Sequence, residues 1–532
     1  MNKEYLKWLN GNFISKEDKE ILSNMSREEI NNSFREELAF GTAGIRGIMG
    51  LGISRMNKYT IGKVTLGISN YLNKKYKEAT VVIGYDTRRN SRDFAFEVAS
   101  ILNYNGIKTY IFKDIVSTPL LSFSTKYLDG MMGIMITASH NPKDYNGYKV
   151  YSSNGGQIVS PIDEEILKEI RLVDYEDIKE APISNKLFNY VSKDVIDMFN
   201  KENEKVIINK DLIDKYARDL RITYTSFHGT GIRVAPFIFE KYGIRYNLVN
   251  EQCKIDEDFT YAPSPNPEIE DNFILSKKYA EELKSDIILS TDPDSDRMGV
   301  LYRDKDTYKV LNGNMIGIMF LYYIFNNKKI VKGNYVVRSI VTSNMVDKLA
   351  DYYQANVIEC LTGCKNIINI KEKDKDNYLF GFEESLGYVF NIDINDKDGF
   401  SSIIFMIEIL CYLKSKNMTI SEYLEEIYSK FGYYNERTLS VKFNDLKESN
   451  ALMEKLRNNN IFKDYKMIDY LLDKDLKTNG LKFIVNENEY FMIRPSGTEA
   501  KLKVYFIVND LDKDKSINRL ELLINNVMKE LK

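Results

Sequence analysis

Four stretches of this chain combine residue types that can do chemistry. In GIMITASHNP (133–142) an apolar run ends in Ser139, His140 and Asn141, with Pro142 biasing Asn141 away from helix. A hydroxyl and an imidazole thus stand at a strand-to-loop exit. The stretch has neither the Gly-x-Ser-x-Gly elbow nor the Ser-x-x-Lys spacing of acyl-transfer serines, which leaves phosphate carriage as the other common task of such a serine. Taken alone, the loop also reads as an ordinary turn. His140 could move protons beside Ser139 or act only as a hydrogen-bonding brace. In DIILSTDPDSDRMGV (286–300) a strand feeds Asp292, Asp294 and Asp296 into a loop, and three carboxylates at alternate positions call for a cation. An EF-hand needs Gly and Glu at its sixth and twelfth loop positions, where Arg297 and Arg303 stand, so a calcium loop of that kind is excluded. Mg²⁺ is the usual hard cation where phosphate is handled.

Charge counting joins the two loops. Three aspartates with one Mg²⁺ remain net negative, and a phosphoserine would add roughly −1.5 to −2 more. Arg297 directly follows the aspartates, Lys149 lies in DYNGYKVY after the serine loop, and Arg46 lies in GTAGIRG, a Gly-rich turn that can turn backbone N–H groups toward an anion. Together they fit one phosphoryl-transfer centre. The third stretch, YFMIRPSGTEAKLKVY (490–505), offers the Arg494 fork, the Ser496 and Thr498 hydroxyls and a close backbone approach at Gly497, the parts of a phosphate clamp. The fourth, GFEESLGY (381–388), offers Glu383 and Ser385 to sugar hydroxyls.

These loops need elements to hold them. ATVVIGYDT (79–87), SRDFAFEVASILNYNG (91–106) and IKTYIFKD read as strand, helix and strand, and the pattern returns at 220–250 and 333–360. Three α/β blocks in series follow, behind a helical lead-in of about 40 residues in which Ser26 and Glu29 have capping-box spacing. The last hundred residues are strand-rich and end in a helix, an α+β tail. The domains are expected at 1–207, 208–309, 310–430 and 431–532.

With 532 residues, 43% apolar and 28% charged, the chain has the composition of a multidomain globular protein. Its charge of −3 is spread evenly, which argues against a nucleic-acid footprint or a polybasic membrane anchor and favours small-molecule partners. Cys253, Cys360, Cys364 and Cys411 are too few and too irregular for a disulfide framework, and neither a signal peptide nor a membrane span is recognisable, so a cytoplasmic location is expected.

In order along the chain, TASHNP, TDPDSDR, GFEESLGY and RPSGTE resemble the phosphoserine, metal-binding, sugar-binding and phosphate-binding loops of the α-D-phosphohexomutases, over essentially everything from about residue 40. The resemblance implies an α/β architecture of four domains around a central cleft: three similar mixed-sheet α/β domains plus a C-terminal TBP-like α+β domain. By motif, Ser139 would carry the phosphoryl group, and Ser139, Asp292, Asp294 and Asp296 would hold Mg²⁺. Arg46, His140, Lys149 and Arg297 would support transfer, while Glu383 and Ser385 would read the sugar. Arg494, Ser496, Gly497 and Thr498 would grip the non-reacting phosphate. Thr362, Gly363 and Lys365 in LTGCK resemble a further ligand loop, in which the family usually has Phe where this chain has Cys364.

The implied reaction is intramolecular phosphoryl transfer on a hexose phosphate through a bisphosphorylated sugar, with glucose 1,6-bisphosphate as activator. The 381–388 loop resembles the phosphoglucomutase and phosphopentomutase subgroup, so glucose 1-phosphate and glucose 6-phosphate are the expected pair. Phosphomannomutase activity on the side, or a phosphopentomutase, are the alternatives within the class. A non-catalytic phosphosugar sensor is the alternative outside it, and would be expected to have lost Ser139 or an aspartate. A monomer or a homodimer is expected.

Overall fold

The protein is described by a computed structural model that covers residues 2–41, 44–443, 446–459, 461–495 and 501–531. The chain divides into two compact units, Met1–Leu311 with Gly387–Cys411, and Asn312–Leu386 with Tyr412–Lys532.

The first unit holds two mixed sheets. One contains β1 (Ile45–Ile48), β2 (Thr80–Tyr85), β3 (Lys108–Ile111), β4 (Met132–Ile136), β5 (Tyr145–Ser152) and β6 (Phe188–Tyr190). Their spatial order is β1-β5-β4-β2-β3-β6, antiparallel over the first three and parallel from β4 onward. β2 (TVVIGY) and β4 (MGIMI) are apolar and buried almost throughout, as parallel strands covered on both faces must be. Helices Lys58–Lys75, Ser91–Tyr104 and Ile162–Leu172 supply that cover through Ile61, Val64, Val98, Leu102, Ile166 and Ile170. The second sheet contains β7 (Arg221–Thr225), β8 (Arg245–Leu248), β9 (Ile287–Thr291), β10 (Met298–Asp304) and β11 (Thr307–Leu311), in the order β11-β10-β9-β7-β8. In both sheets the parallel strands deliver their C-terminal ends to one edge, where ligand loops of open α/β sheets sit.

The lead-in forms three short helices, Lys3–Asn10, Lys16–Ser23 and Arg27–Ser33, and Ser26 and Glu29 do form the capping box. Trp8, fully buried, meets Phe34, Tyr59 and Tyr175 edge-on with centroids 5.3–5.5 Å apart. That contact fastens the helices to the first sheet's helix layer, and its removal would cost about 3–5 kcal/mol.

In the second unit β12 (Tyr335–Ser339), β13 (Asn356–Cys360) and β14 (Tyr378–Glu383) run parallel with β12 in the middle. β15 (Gly387–Phe390) opens the segment that rejoins the first unit. The C-terminal sheet contains β16 (Tyr433–Lys442), β17 (Lys466–Asp469), β18 (Leu481–Asn486), β19 (Glu489–Pro495) and β20 (Lys501–Asp510), all antiparallel in the order β16-β20-β19-β18-β17. Helix Lys513–Leu531 lays Leu520, Ile524 and Val527 into the same core as Phe483, Phe491 and Phe506 of the sheet. Three α/β blocks and a different, antiparallel tail are what the sequence predicts. No helix among the described residues is long and apolar enough to cross a membrane.

Candidate active site

β4 ends at Ile136, and three residues later Ser139 turns the chain with φ +54°, a left-handed conformation that costs a non-glycine residue free energy. Ser139 is 4% exposed. Its N–H donates to Thr137 Oγ1 (2.8 Å), its Oγ donates to Asp292 Oδ2 (2.9 Å), and the same Oγ lies 3.1 Å from His140 Nδ1. Burial, followed by the charges of Arg297 and Arg46, holds His140 well below the usual histidine value. The imidazole is therefore held in its neutral form, with Nδ1 in hydrogen-bond reach of the serine hydroxyl.

The strand β9 delivers Asp292, Asp294 and Asp296 to the same place. All three are at most 1% exposed, with one carboxylate oxygen of each within 4.8 Å of the others. Ser295, at φ +57°, turns the loop so that its Oγ pairs with Thr230 Oγ1 at 2.9 Å while the aspartates face inward. Behind it, Gly229 packs so closely that a Cβ there would stand 2.3 Å from Pro293 Cα, and Thr230 N donates to Pro293 O at 2.8 Å.

Cations answer the three carboxylates. Lys149, on β5 opposite Met135 of β4, places Nζ 2.7 Å from Asp294 Oδ2 and 3.3 Å from Asp296 Oδ2. Burial alone would lower this lysine, but Asp294 and Asp296 outweigh it and its affinity for the proton rises. Lys397 Nζ lies 2.6 Å from Asp296 Oδ2. Arg297 Nε stands 4.0 Å from Asp292 Oδ2 and 3.9 Å from Asp296 Oδ1. Arg46, on β1 opposite Gly147, donates from Nη1 to Asn141 Oδ1 at 2.9 Å. The turn before it is tight: at Gly44 (φ +73°) a Cβ would collide with Tyr148 O.

The compensation is uneven. Burial raises Asp296, but Lys397, Lys149 and Arg297 outweigh it and hold this group far below the carboxylate range; burial together with Asp296 and Asp294 pushes Asp292 well above it. Asp294 Oδ1 and Asp296 Oδ1 are buried without a hydrogen-bond partner. Orphaned oxygens on a set of hard ligands, with a serine hydroxyl at the edge, fit a divalent cation.

In the second unit Glu383 ends β14, 7% exposed, and its Oε1 accepts from Gly363 N at 2.7 Å. Gly363 (φ +110°) precedes helix Cys364–Lys373, which starts the side of the loop bearing Lys365, and Asn366 Nδ2 donates to Thr362 O at 2.9 Å. The Thr362–Lys365 loop and Glu383 are thus brought together. Ser385 follows in the turn after β14, half-buried. Arg494 lies on β19 opposite Lys503, and its Nε is buried with no hydrogen-bond partner among the described residues. Ser496, Gly497 and Thr498 lie outside the described residues.

Sequence reasoning passed over three groups. Lys397 lies in NDKDGF, about a hundred residues beyond its partner Asp296, with no local pattern to mark it. Thr118 donates from Oγ1 to Asp294 Oδ2 at 2.7 Å and from its N–H to Asp294 O at 2.8 Å. Asp86 and Arg88 form a fully buried ion pair (3.3 Å) just after β2. Their signal was available, because a charged pair at the C-terminal end of an apolar parallel strand stands on the ligand edge of the sheet. His228 is a brace: Nδ1 pairs with Lys254 O at 2.8 Å and Nε2 accepts from Tyr261 N at 3.2 Å.

Family models described as phosphoglucomutase/phosphomannomutase alpha/beta/alpha domains I, II and III match residues 37–176, 197–305 and 312–431. A phosphoglucomutase of Staphylococcus saprophyticus is 34% identical over 545 residues, spanning 96% of this chain and 98% of that relative. One from Staphylococcus haemolyticus is 36% identical over 507 residues, spanning 90% and 91%. Among solved structures, the Paramecium exocytosis-sensitive phosphoprotein pp63/parafusin, a phosphoglucomutase in its open form, is similar in fold. Its TM-score is 0.72 at 19% identity, covering 92% of this chain and 95% of that one.

Proposed function

The chain belongs to the phosphoglucomutase/phosphomannomutase family, and from this we propose that it interconverts glucose 1-phosphate and glucose 6-phosphate. The observation that carries the reading is the Ser139 hydroxyl on Asp292, inside a buried aspartate triad flanked by Lys149, Lys397 and Arg297. With a divalent cation bound by the aspartates, these side chains would also be placed to oppose the charge of a phosphoryl group on the serine.

In this reading phosphorylated Ser139 gives its phosphoryl group to the free hydroxyl of the sugar phosphate. Glucose 1,6-bisphosphate forms, turns round, and returns its other phosphate to Ser139 Oγ. Positioning and opposed charge do most of the work in such a transfer. Lys149, Lys397 and Arg297 stand against the charge on the moving group. His140, neutral and 3.1 Å from Oγ, holds or moves the proton there. Asp292, Asp294, Asp296 and Ser139 would hold Mg²⁺, which when bound supplies further charge neutralisation. Glu383 would accept from sugar hydroxyls beside Gly363, with Thr362 and Lys365 on the loop that the Gly363 N–H ties to it and Ser385 two residues on in the chain, and Arg494 would take the non-reacting phosphate with Ser496, Gly497 and Thr498. Free glucose 1,6-bisphosphate would serve as activator by phosphorylating Ser139. All four cysteines are free and buried, which suits the cytoplasm.

The test is ³¹P NMR of the protein with Mg²⁺, a trace of glucose 1,6-bisphosphate and excess glucose 1-phosphate. Growth of glucose 6-phosphate without free phosphate is the expected result. An unchanged glucose 1-phosphate signal overturns the glucose assignment, and mannose 1-phosphate and ribose 1-phosphate in parallel tubes then identify the sugar.

A further inference from the structure

Arg88 is 3% exposed and touches no carboxylate of the triad, yet its guanidinium gathers the loop that carries Ser139. Nη2 donates to Ser139 O (2.6 Å) and Asn141 O (2.5 Å), and Nη1 donates to Pro142 O (2.8 Å) and Tyr145 O (3.1 Å). The guanidinium also lies over the Phe259 ring, 5.0 Å from its centroid. Its counter-charge, Asp86, accepts from Ser91 Oγ and Thr137 Oγ1, each at 2.7 Å. The Thr137 hydroxyl in turn accepts from Ser139 N. Ser139 is therefore held from both ends of its own residue: the N–H by Thr137 and the carbonyl by Arg88, two arms of one buried ion pair. Its left-handed φ is a conformation the chain would leave if either arm let go.

Four carbonyl oxygens committed to one guanidinium cannot turn toward Ser139 Oγ, where a phosphoryl group would repel them. A planar five-donor fork is what four convergent carbonyls require, and an ammonium cannot replace it.

We propose that Arg88 is a positioning residue for phosphoryl transfer: with Asp86 and Thr137 it fixes the Ser139 backbone, and so the direction from which Oγ meets phosphorus. The proposal rests on the mutase reading above. Three variants, with Arg88→Ala as a fourth for chemical rescue, test it in the full-length protein. Arg88→Lys keeps the charge and loses the fork, Thr137→Val cuts the other arm, and Arg89→Ala changes the neighbouring exposed arginine, whose partners are Glu257 and Asp258.

Turnover of glucose 1-phosphate is measured per folded molecule, counted by near-ultraviolet circular dichroism, and phosphoserine content by intact mass. Arg88→Lys is expected to lower kcat about 100-fold and Thr137→Val about tenfold, with KM within about threefold and Ser139 still phosphorylated by glucose 1,6-bisphosphate. Arg89→Ala is expected to match the parent. Methylguanidinium added to Arg88→Ala is expected to restore part of kcat, which a loss of stability alone would not allow. Parent-like kcat in both Arg88→Lys and Thr137→Val overturns the proposal, as does a lowered kcat per folded molecule with no rescue by methylguanidinium. A parent protein that turns over no sugar phosphate fails the function reading instead, and is recognised before any variant is made.

Discussion

Two sets of carboxylates, one in each unit, are kept in opposite ways. In the first unit three buried aspartates share two lysines at 2.6–3.3 Å, an arginine near 4 Å, and the hydroxyls of Ser139 and Thr118. In the second, Glu383 accepts from the Gly363 N–H, and half-buried Glu436 on β16 lies against Ser343 and Asn314. No lysine or arginine pairs with either among the described residues. A charged centre that must be ready before substrate arrives is balanced by the protein itself. A carboxylate met by backbone N–H, hydroxyl or amide groups can go without a cation.

The comparison breaks most decisively at Ser139. Ser139→Ala removes the proposed phosphoryl carrier while leaving the triad, and turnover is expected to fall at least about 10⁴-fold with the thermal unfolding midpoint nearly unchanged. Full turnover in that variant would falsify the phosphoserine role. Lys397→Met tests the balance itself. It leaves Asp296 to Lys149 and Arg297, and breaking a buried pair should cost about 3–5 kcal/mol, read by denaturant unfolding of the full chain. A kcat loss of about 10–100-fold should accompany it. A stability change near zero would mean that Lys397 is not part of the balance.

Glu383→Gln keeps an oxygen for Gly363 N–H and removes only the charge. KM for glucose 1-phosphate is expected to rise about tenfold with kcat within about threefold, the mark of a group that binds and does not transfer. An equal fall in kcat would move Glu383 into the transferring set.

Glu436 gives the smallest effect and a signed one. Burial pushes it up to about 7, above the usual 4.5. The fold therefore prefers its protonated form: its contribution to stability is fully present below pH 4.5 and is lost as pH rises through about 7. Between pH 5.5 and 8 the second unit should weaken by about 1–2 kcal/mol, and Glu436→Gln should flatten that slope. Hydrogen exchange of β16 amides would report it, and identical pH slopes in parent and variant would remove Glu436 from the account.

Much of the fold was legible because hydrophobic runs of the right length alternate with helical periods, and the serine and aspartate loops stood out because each packs its polar groups into a few consecutive residues. β5 escaped for a physical reason. Its sequence YNGYKVYS is buried along six of eight positions yet carries Asn146 and Lys149 inward, so neither alternation nor an apolar run marks it. Lys149 was singled out for its charge, and only the β4–β5 ladder shows why it faces the aspartates. Lys397 and Arg88 act through neighbours that the fold, and not the sequence order, brings to them.

Trp8 is the only tryptophan in the chain, and it lies wholly inside the aromatic cluster that fastens the N-terminal helices. Excitation at the red edge of indole absorption therefore lights a single fluorophore, remote in sequence from every ligand loop, whose emission should be blue and shielded from iodide. Undocking of the lead-in would redden and expose it, so an optical clock for one corner of the molecule is already installed, and it can be read while the mutase assay runs in the same cuvette.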